Sequence, residues 1–108
     1  MPTTYPIIFQ HEATTTLTDA YEVPPGISHI ISTINVNNFT GTATTCYIKH
    51  AKGGEADDNK QYVFTLTVAA YDTFEATRGF TLTEGDVVRV IAGSNNAIAV
   101  QYNGSTIT

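Results

Sequence analysis

Hydrophobic and polar residues alternate along most of the chain, which is the pattern of β-strands buried on one face. Ile34 and Val36 share one parity with Ile30, and a second run alternates from Tyr62 to Val68. The second run is the cleanest candidate for a core strand. Together the alternating stretches predict this core: Ile30, Ile34, Val36, Ile48, Tyr62, Phe64, Leu66, Val68, Phe80, Leu82, Val88, Val90, Ile98 and Val100.

Turn-forming sequences separate these stretches. Lys52–Gln61 is the most polar stretch and is predicted to be an exposed loop. Gly93–Asn96 predicts a hairpin turn, and Asn103-Gly104 a second turn before a short last strand, because Asn and Gly tolerate positive φ. Two further turns are predicted at Pro24-Pro25-Gly26 and Thr83–Asp86.

About eight short strands with no helical periodicity indicate an all-β protein. Thr, Ile and Val make up 37 of the 108 residues, whereas Leu occurs only three times. These β-branched side chains favour strands, and the length fits one domain. We therefore predict a single antiparallel β-sandwich, jelly-roll or Ig-like, over residues 10–108.

The first nine residues are predicted to form an N-terminal arm or an edge strand. Pro2 and Pro6 remove backbone donors and so exclude a central strand. The segment is nevertheless apolar, and apolar extended arms can pair with a neighbour's sheet edge. The residues predicted to bind a partner are Tyr5, Pro6, Ile7, Ile8 and Phe9. The alternative is that they form the first strand of this domain's own sandwich.

Charge and length exclude several classes of function. The net charge is -5, and none of the five basic residues is adjacent to another, which disfavours nucleic acid and anionic membranes as partners. No apolar run approaches the ~20 residues of a membrane span. The N-terminus lacks the basic region and cleavage site of a signal peptide. A single cysteine, Cys46, excludes an internal disulfide.

Residues able to carry chemistry are few, and their spacing matches no known site. His11, His29 and His50 lack metal-binding spacing, and Cys46 lies within a predicted strand, where a buried structural thiol is expected. Oxygen ligands cluster only in the polar loop, without the spacing of a calcium loop: Glu55, Asp57, Asp58 and Asn59. Glu84 and Asp86 flank the glycine of a predicted turn, which favours a structural role over glycosidase chemistry. No catalytic residue, metal or cofactor is predicted, and the chain is not expected to be an enzyme.

Five stretches resemble a known group of proteins: Val23-Pro24-Pro25-Gly26, a β-branched strand that ends at Ile34–Asn38, Gly41–Thr44, Phe80–Val90 and Asn96–Gly104. The combination is similar to small β-sandwich virion proteins of tailed bacteriophages. These carry a V-P-x-G turn, an Asn-rich strand end, an L-x-x-G-D turn before a strand, and a closing hairpin. The resemblance covers roughly Tyr21 to Thr108. Pro25 replaces the usual alanine of the first turn, and loop 52–61 is not part of the pattern.

The resemblance implies a capsid decoration (cement) protein that stabilises a phage head. Its partners would be the major capsid protein or another virion protein, and copies of itself; a trimer would suit a three-fold site. It would assemble in the host cytoplasm and reside in the virion. One alternative is a head–tail or tail accessory protein. A second is a carbohydrate-binding module for host attachment, for which Tyr5, Tyr47, Tyr71 and Phe74 are the candidate aromatics.

Overall fold

The computed structural model describes residues 6–108, and within them nine β-strands form two antiparallel sheets. Two 3₁₀ turns, Lys52–Gly54 and Asn59–Gln61, lie between the fourth and fifth strands. The strands are β1 (Ile7–Glu12), β2 (Thr18–Glu22), β3 (Ser28–Asn38), β4 (Thr44–Ala51), β5 (Tyr62–Val68), β6 (Thr73–Ala76), β7 (Phe80–Leu82), β8 (Val87–Ala92) and β9 (Ile98–Ile107).

The strand order is that of a jelly roll. The first sheet has the order β1-β9-β3-β6, with β7 also paired to β3, and the second has the order β2-β8-β4-β5. Early strands pair with late ones in reverse order: β1 with β9, β2 with β8, β3 with β6 and β7, and β4 with β5. A long antiparallel ribbon that rolls up produces this order. The predicted all-β sandwich is confirmed, and its topology is the first of the two predicted.

The core lies between the two sheets and contains most of the predicted residues. The residues confirmed as buried are Ile34, Val36, Ile48, Val68, Leu82, Val88, Val90, Ile98 and Val100. Phe64, Leu66 and Phe80 are only partly buried and pack against this cluster. β5 is an edge strand, which explains why two of these three side chains are only half covered.

Two predicted core residues are wrong, and each lies beside a β-bulge. The register of β3 shifts between Ile31 and Thr33. Ile30 is therefore 46% exposed and Ile31 is buried in its place. Tyr62 is 42% exposed and pairs with Lys49 just beyond a bulge in the β4–β5 ladder. A bulge inserts one residue and so reverses which face the following side chains occupy.

Two predicted turns are also wrong in kind. Gly93–Asn96 connects β8 to β9, which lie in different sheets, so it is not a hairpin turn. Asn103-Gly104 is not a turn at all, because β9 runs through it without interruption and no separate last strand follows. Gly104 is required there by close packing: a Cβ at this position would lie 2.1 Å from the carbonyl oxygen of Ile30.

The turn before β8 is confirmed and is organised by one carboxylate. Asp86 is buried, and its Oδ2 accepts a hydrogen bond from the Thr83 backbone N–H at 2.9 Å. Its Oδ1 accepts a second from the Gly53 N–H at 2.8 Å. Gly85 completes the turn with φ at 84°. The side chain thus ties this turn to the exposed loop 52–61.

Candidate functional site

The outer face of the first sheet carries a patch of amide side chains. Strand pairing aligns Gln10, Gln101, Asn35 and Glu75 in one row across four strands. The next row consists of Glu12, Ala99, Asn37 and Thr73. Five of the ten Asn and Gln residues of the chain lie on this face, Asn103 being the fifth.

Six residues of these rows, all except Glu75 and Thr73, line a groove of about 470 Å³ together with His11 and Val100, and this volume is typical of small-ligand sites. Several of its side chains are fixed by neighbours. The amide nitrogen of Gln10 donates to Gln101 Oε1 at 2.8 Å, and Thr73 Oγ1 donates to Asn37 Oδ1 at 2.8 Å. In contrast, the Asn35 amide makes no side-chain hydrogen bond within residues 6–108, and Glu12 makes no ion pair there. The groove therefore offers both ordered and unused hydrogen-bonding groups.

The other end of the same face is apolar. Ile7 is 52% exposed, Ile30 46% and Ile107 51%. Ile7 pairs with Asn103 on β9. In the β3–β9 ladder, Ile107 lies opposite Ser28 and Ile30 lies opposite Ser105. We call these three residues the isoleucine patch. Exposed apolar side chains grouped on one face are typical of protein interaction sites.

The residues predicted to bind a partner separate into three groups. Tyr5 lies outside the described residues. Pro6 and Ile7 are exposed, whereas Ile8 and Phe9 are half-buried against the core of their own domain. The Phe9 ring stacks on Tyr21, with centroids 4.8 Å apart, and on Tyr102 at 4.6 Å. Partner binding by this segment stays a prediction. The boundary between a segment of residues 1–9 and a domain of residues 10–108 also stays a prediction, and β1 runs across it.

Loop 52–61 packs on the outer face of the second sheet. Lys49 is buried, pairs with Asp57 and lies 4.3 Å above the Tyr62 ring centroid, and the hydrogen bond to Asp57 raises its pKa. Arg89 donates to the Glu55 carbonyl at 2.8 Å. Asp57 is thus paired with a basic side chain, Glu55 lies 3.7 Å from the Lys60 ammonium, and Asp58 accepts the Lys60 backbone N–H at 3.0 Å. Among the described residues, no three His, Cys, Asp or Glu side chains form a group that could hold a metal ion.

The three histidines do not converge. His29 is hydrogen-bonded to the Tyr21 hydroxyl at 2.6 Å, and His50 to that of Tyr102 at 2.8 Å. Burial lowers the pKa of His50 to about 4, so this imidazole is neutral at neutral pH. Burial also lowers the pKa of His11, which lies on β1. His29 and His50 serve to link the two sheets.

The remaining candidates for chemistry have structural surroundings. Cys46 is fully buried, and burial raises the pKa of its thiol to about 12. The thiolate that a nucleophile requires is therefore not formed at neutral pH. Asp86 is committed to the turn before β8, and Glu84 is exposed in that turn.

Of the predicted aromatic candidates for sugar binding, Tyr5 lies outside the described residues, and the three that are described do not form one platform. Phe74 packs against Phe64 with centroids 5.7 Å apart, and Tyr47 lies on the second sheet beside Tyr62. Tyr71 is 75% exposed in the connection before β6. Phe39, which is 43% exposed just after β3, was not among these candidates. The groove was not predicted either, although Asn35 and Asn37 alternate with Ile34 and Val36 in a predicted strand.

Compared with models of protein families and with curated proteins, the chain matches none. The part of the chain that the structure describes contains no helix with the length and hydrophobicity of a membrane-spanning segment.

Proposed function

We propose that the chain is a non-enzymatic virion structural protein, a capsid decoration (cement) protein of a tailed phage. The resemblance of residues 21–108 to such proteins supports this, and a jelly roll is a common architecture of viral capsid proteins. The observation that carries the proposal is the isoleucine patch, which adjoins Pro6 at the start of β1.

The patch and the N-terminal segment form one attachment surface in this proposal. Ile7 belongs to both. Covering three half-exposed isoleucines would contribute a few kcal/mol, at ~1.5–3 kcal/mol for a fully buried side chain. Such a contact is weak for one molecule, but many copies on a symmetric shell would bind with high avidity.

The partners proposed are the major capsid protein or another virion protein, together with further copies of this chain. Exposed sheet edges favour pairing between chains, and β1 is an edge strand. Closed cyclic symmetry is the common solution for identical subunits. The trimer proposed for a three-fold site rests on the resemblance alone.

Sedimentation with phage particles tests the proposal. The tagged chain is mixed with particles stripped of accessory proteins and separated on a density gradient. We expect the parent chain to sediment with the particles and the variant Ile7→Ser/Ile30→Ser/Ile107→Ser to remain at the top. The matched control is Tyr47→Ser, which removes an exposed ring from the second sheet.

Deletion of residues 1–6 separates the segment from the patch. If the truncated chain folds but no longer sediments, the segment is an attachment element. Full binding by both the truncated chain and the isoleucine variant would contradict the proposed surface. Immunogold labelling then distinguishes a cement protein, which decorates heads, from a head–tail or tail accessory protein.

A further inference from the structure

We infer that the amide-lined groove on the outer face of the first sheet binds a neutral oligosaccharide. This inference is independent of the proposed virion role and concerns a different part of that face. It rests on the amide rows, on the charge of the face that carries them and on an exposed aromatic residue at one end of the rows.

Amide side chains match the hydrogen bonding of sugar hydroxyls. A hydroxyl both donates and accepts, and an Asn or Gln side chain does the same through separate atoms. Asn35 lines the groove with its side-chain amide unused by the described residues, and the Asn37 nitrogen is likewise unused by them. The Gln10–Gln101 hydrogen bond fixes the neighbouring amides before any ligand arrives. A prearranged set of this kind reduces the ordering that binding requires.

Charge indicates which ligands are acceptable. Two carboxylates, Glu12 and Glu75, lie in the two rows. All five basic residues belong to the second sheet, loop 52–61 or the β6–β7 connection. Phosphate, sulfate and nucleic acid would therefore meet like charge in a groove that no Lys or Arg among the described residues lines. A neutral polyhydroxylated ligand meets no such penalty, and its hydroxyls can donate to the carboxylates.

Phe39 supplies an apolar surface at one end of the rows. Its backbone N–H donates to the Ala97 carbonyl at 3.0 Å, which continues the β3–β9 ladder by one step. Since Phe39 follows Asn37 by two residues, its ring is on the same face, and it is 43% exposed. The C–H face of a pyranose ring can pack on such a side chain while its hydroxyls reach the amides.

Calorimetric titration of the full chain tests the inference. The probes are four neutral hexasaccharides, namely cellohexaose, maltohexaose, laminarihexaose and chitohexaose, with a heparin hexasaccharide as the anionic comparison. We expect saturable binding of at least one neutral probe and none of heparin. The double variant Asn35→Ala/Asn37→Ala should weaken that binding about tenfold or more, since it removes one or more hydrogen bonds to the sugar. Phe39→Ala should weaken it as well.

Asn59→Ala is the control, because Asn59 is an exposed amide in loop 52–61. It should bind as the parent does. If the double variant proves unstable, Asn35→Asp replaces it, since that change keeps the shape and exchanges the amide donors for a charged group that only accepts. The inference is overturned if none of the four neutral probes binds, if heparin binds instead, or if the groove variants bind like the parent.

Discussion

Replacing Gly104 by alanine tests the packing of the two central strands of the first sheet. The added Cβ would lie 2.1 Å from the Ile30 carbonyl oxygen and 2.9 Å from Ile31 Cα. Both are backbone atoms of β3, which is paired on both sides and cannot move away alone. Relief requires a shift of about an ångström in the ladder. We expect a loss near the upper end of the usual overpacking range, about 3 kcal/mol.

Urea unfolding followed by circular dichroism measures this loss, and thermal melting provides an independent check. A loss of about 3 kcal/mol in a chain of this size lowers the melting temperature by roughly 12 °C. Gly79→Ala is the matched control, since the nearest atom to its added Cβ is 3.9 Å away. The control should stay within about 0.5 kcal/mol of the parent. Equal stability of the two variants would refute the close approach of β9 to β3.

Three further predictions concern buried polar groups. Burial lowers the pKa of His50 from 6.5 to about 4, so as the pH falls this imidazole is protonated in the unfolded chain before it is protonated in the folded one. The contribution of neutral His50 to the free energy of unfolding is therefore complete above pH 6.5, and about 3 kcal/mol is lost as the pH falls toward 4. Urea titrations across this range should show the slope in the parent and a flatter profile in His50→Gln. Asn38 is fully buried and donates to the Thr42 and Val68 carbonyls, so Asn38→Ala should cost about 3 kcal/mol in urea unfolding, whereas Asn59→Ala should cost almost nothing. Cys46 should resist iodoacetamide in the folded protein and react on unfolding, as followed by mass spectrometry; rapid labelling of the native chain would contradict its burial.

The sandwich could be predicted because residue alternation follows directly from burial on one face. Ile34, Val36, Val88 and Val90 have the parity that the sequence indicated, and all four are buried. The errors arose where the ladder is irregular. The bulge after Ile31 reverses the faces of β3, and no local signal in a run of β-branched residues marks it.

The same residue type serves different purposes, which explains the wrong turn prediction at Asn103-Gly104. Asn103-Gly104 has the composition of a turn, but Gly104 is small because a neighbouring strand passes close to it. Asn38 forms part of a potential glycosylation sequence, yet its buried amide holds the chain after β3 through four hydrogen bonds. A long-range contact decides the case of Gly104, and one of the four Asn38 hydrogen bonds, that to the Val68 carbonyl, is also long-range. Such contacts are not visible in a short segment.

The candidate surfaces were only partly predictable for a related reason. The apolar character of Ile7 was evident in the sequence, but its grouping with Ile30 and Ile107 requires the β1–β9–β3 pairing. That pairing joins residues from both ends of the chain. The amide groove depends on the same pairing, since Gln10 and Gln101 are 91 residues apart.

Immunogold electron microscopy of particles from a tailed phage that encodes the chain tests the central proposal most directly. An antibody against the folded domain is applied to intact particles, with particles from a deletion mutant of the phage as the control. The account predicts regularly spaced label over the heads of the parent particles and none on the mutant. Unlabelled particles, with the chain recovered only as a free monomer, would contradict it.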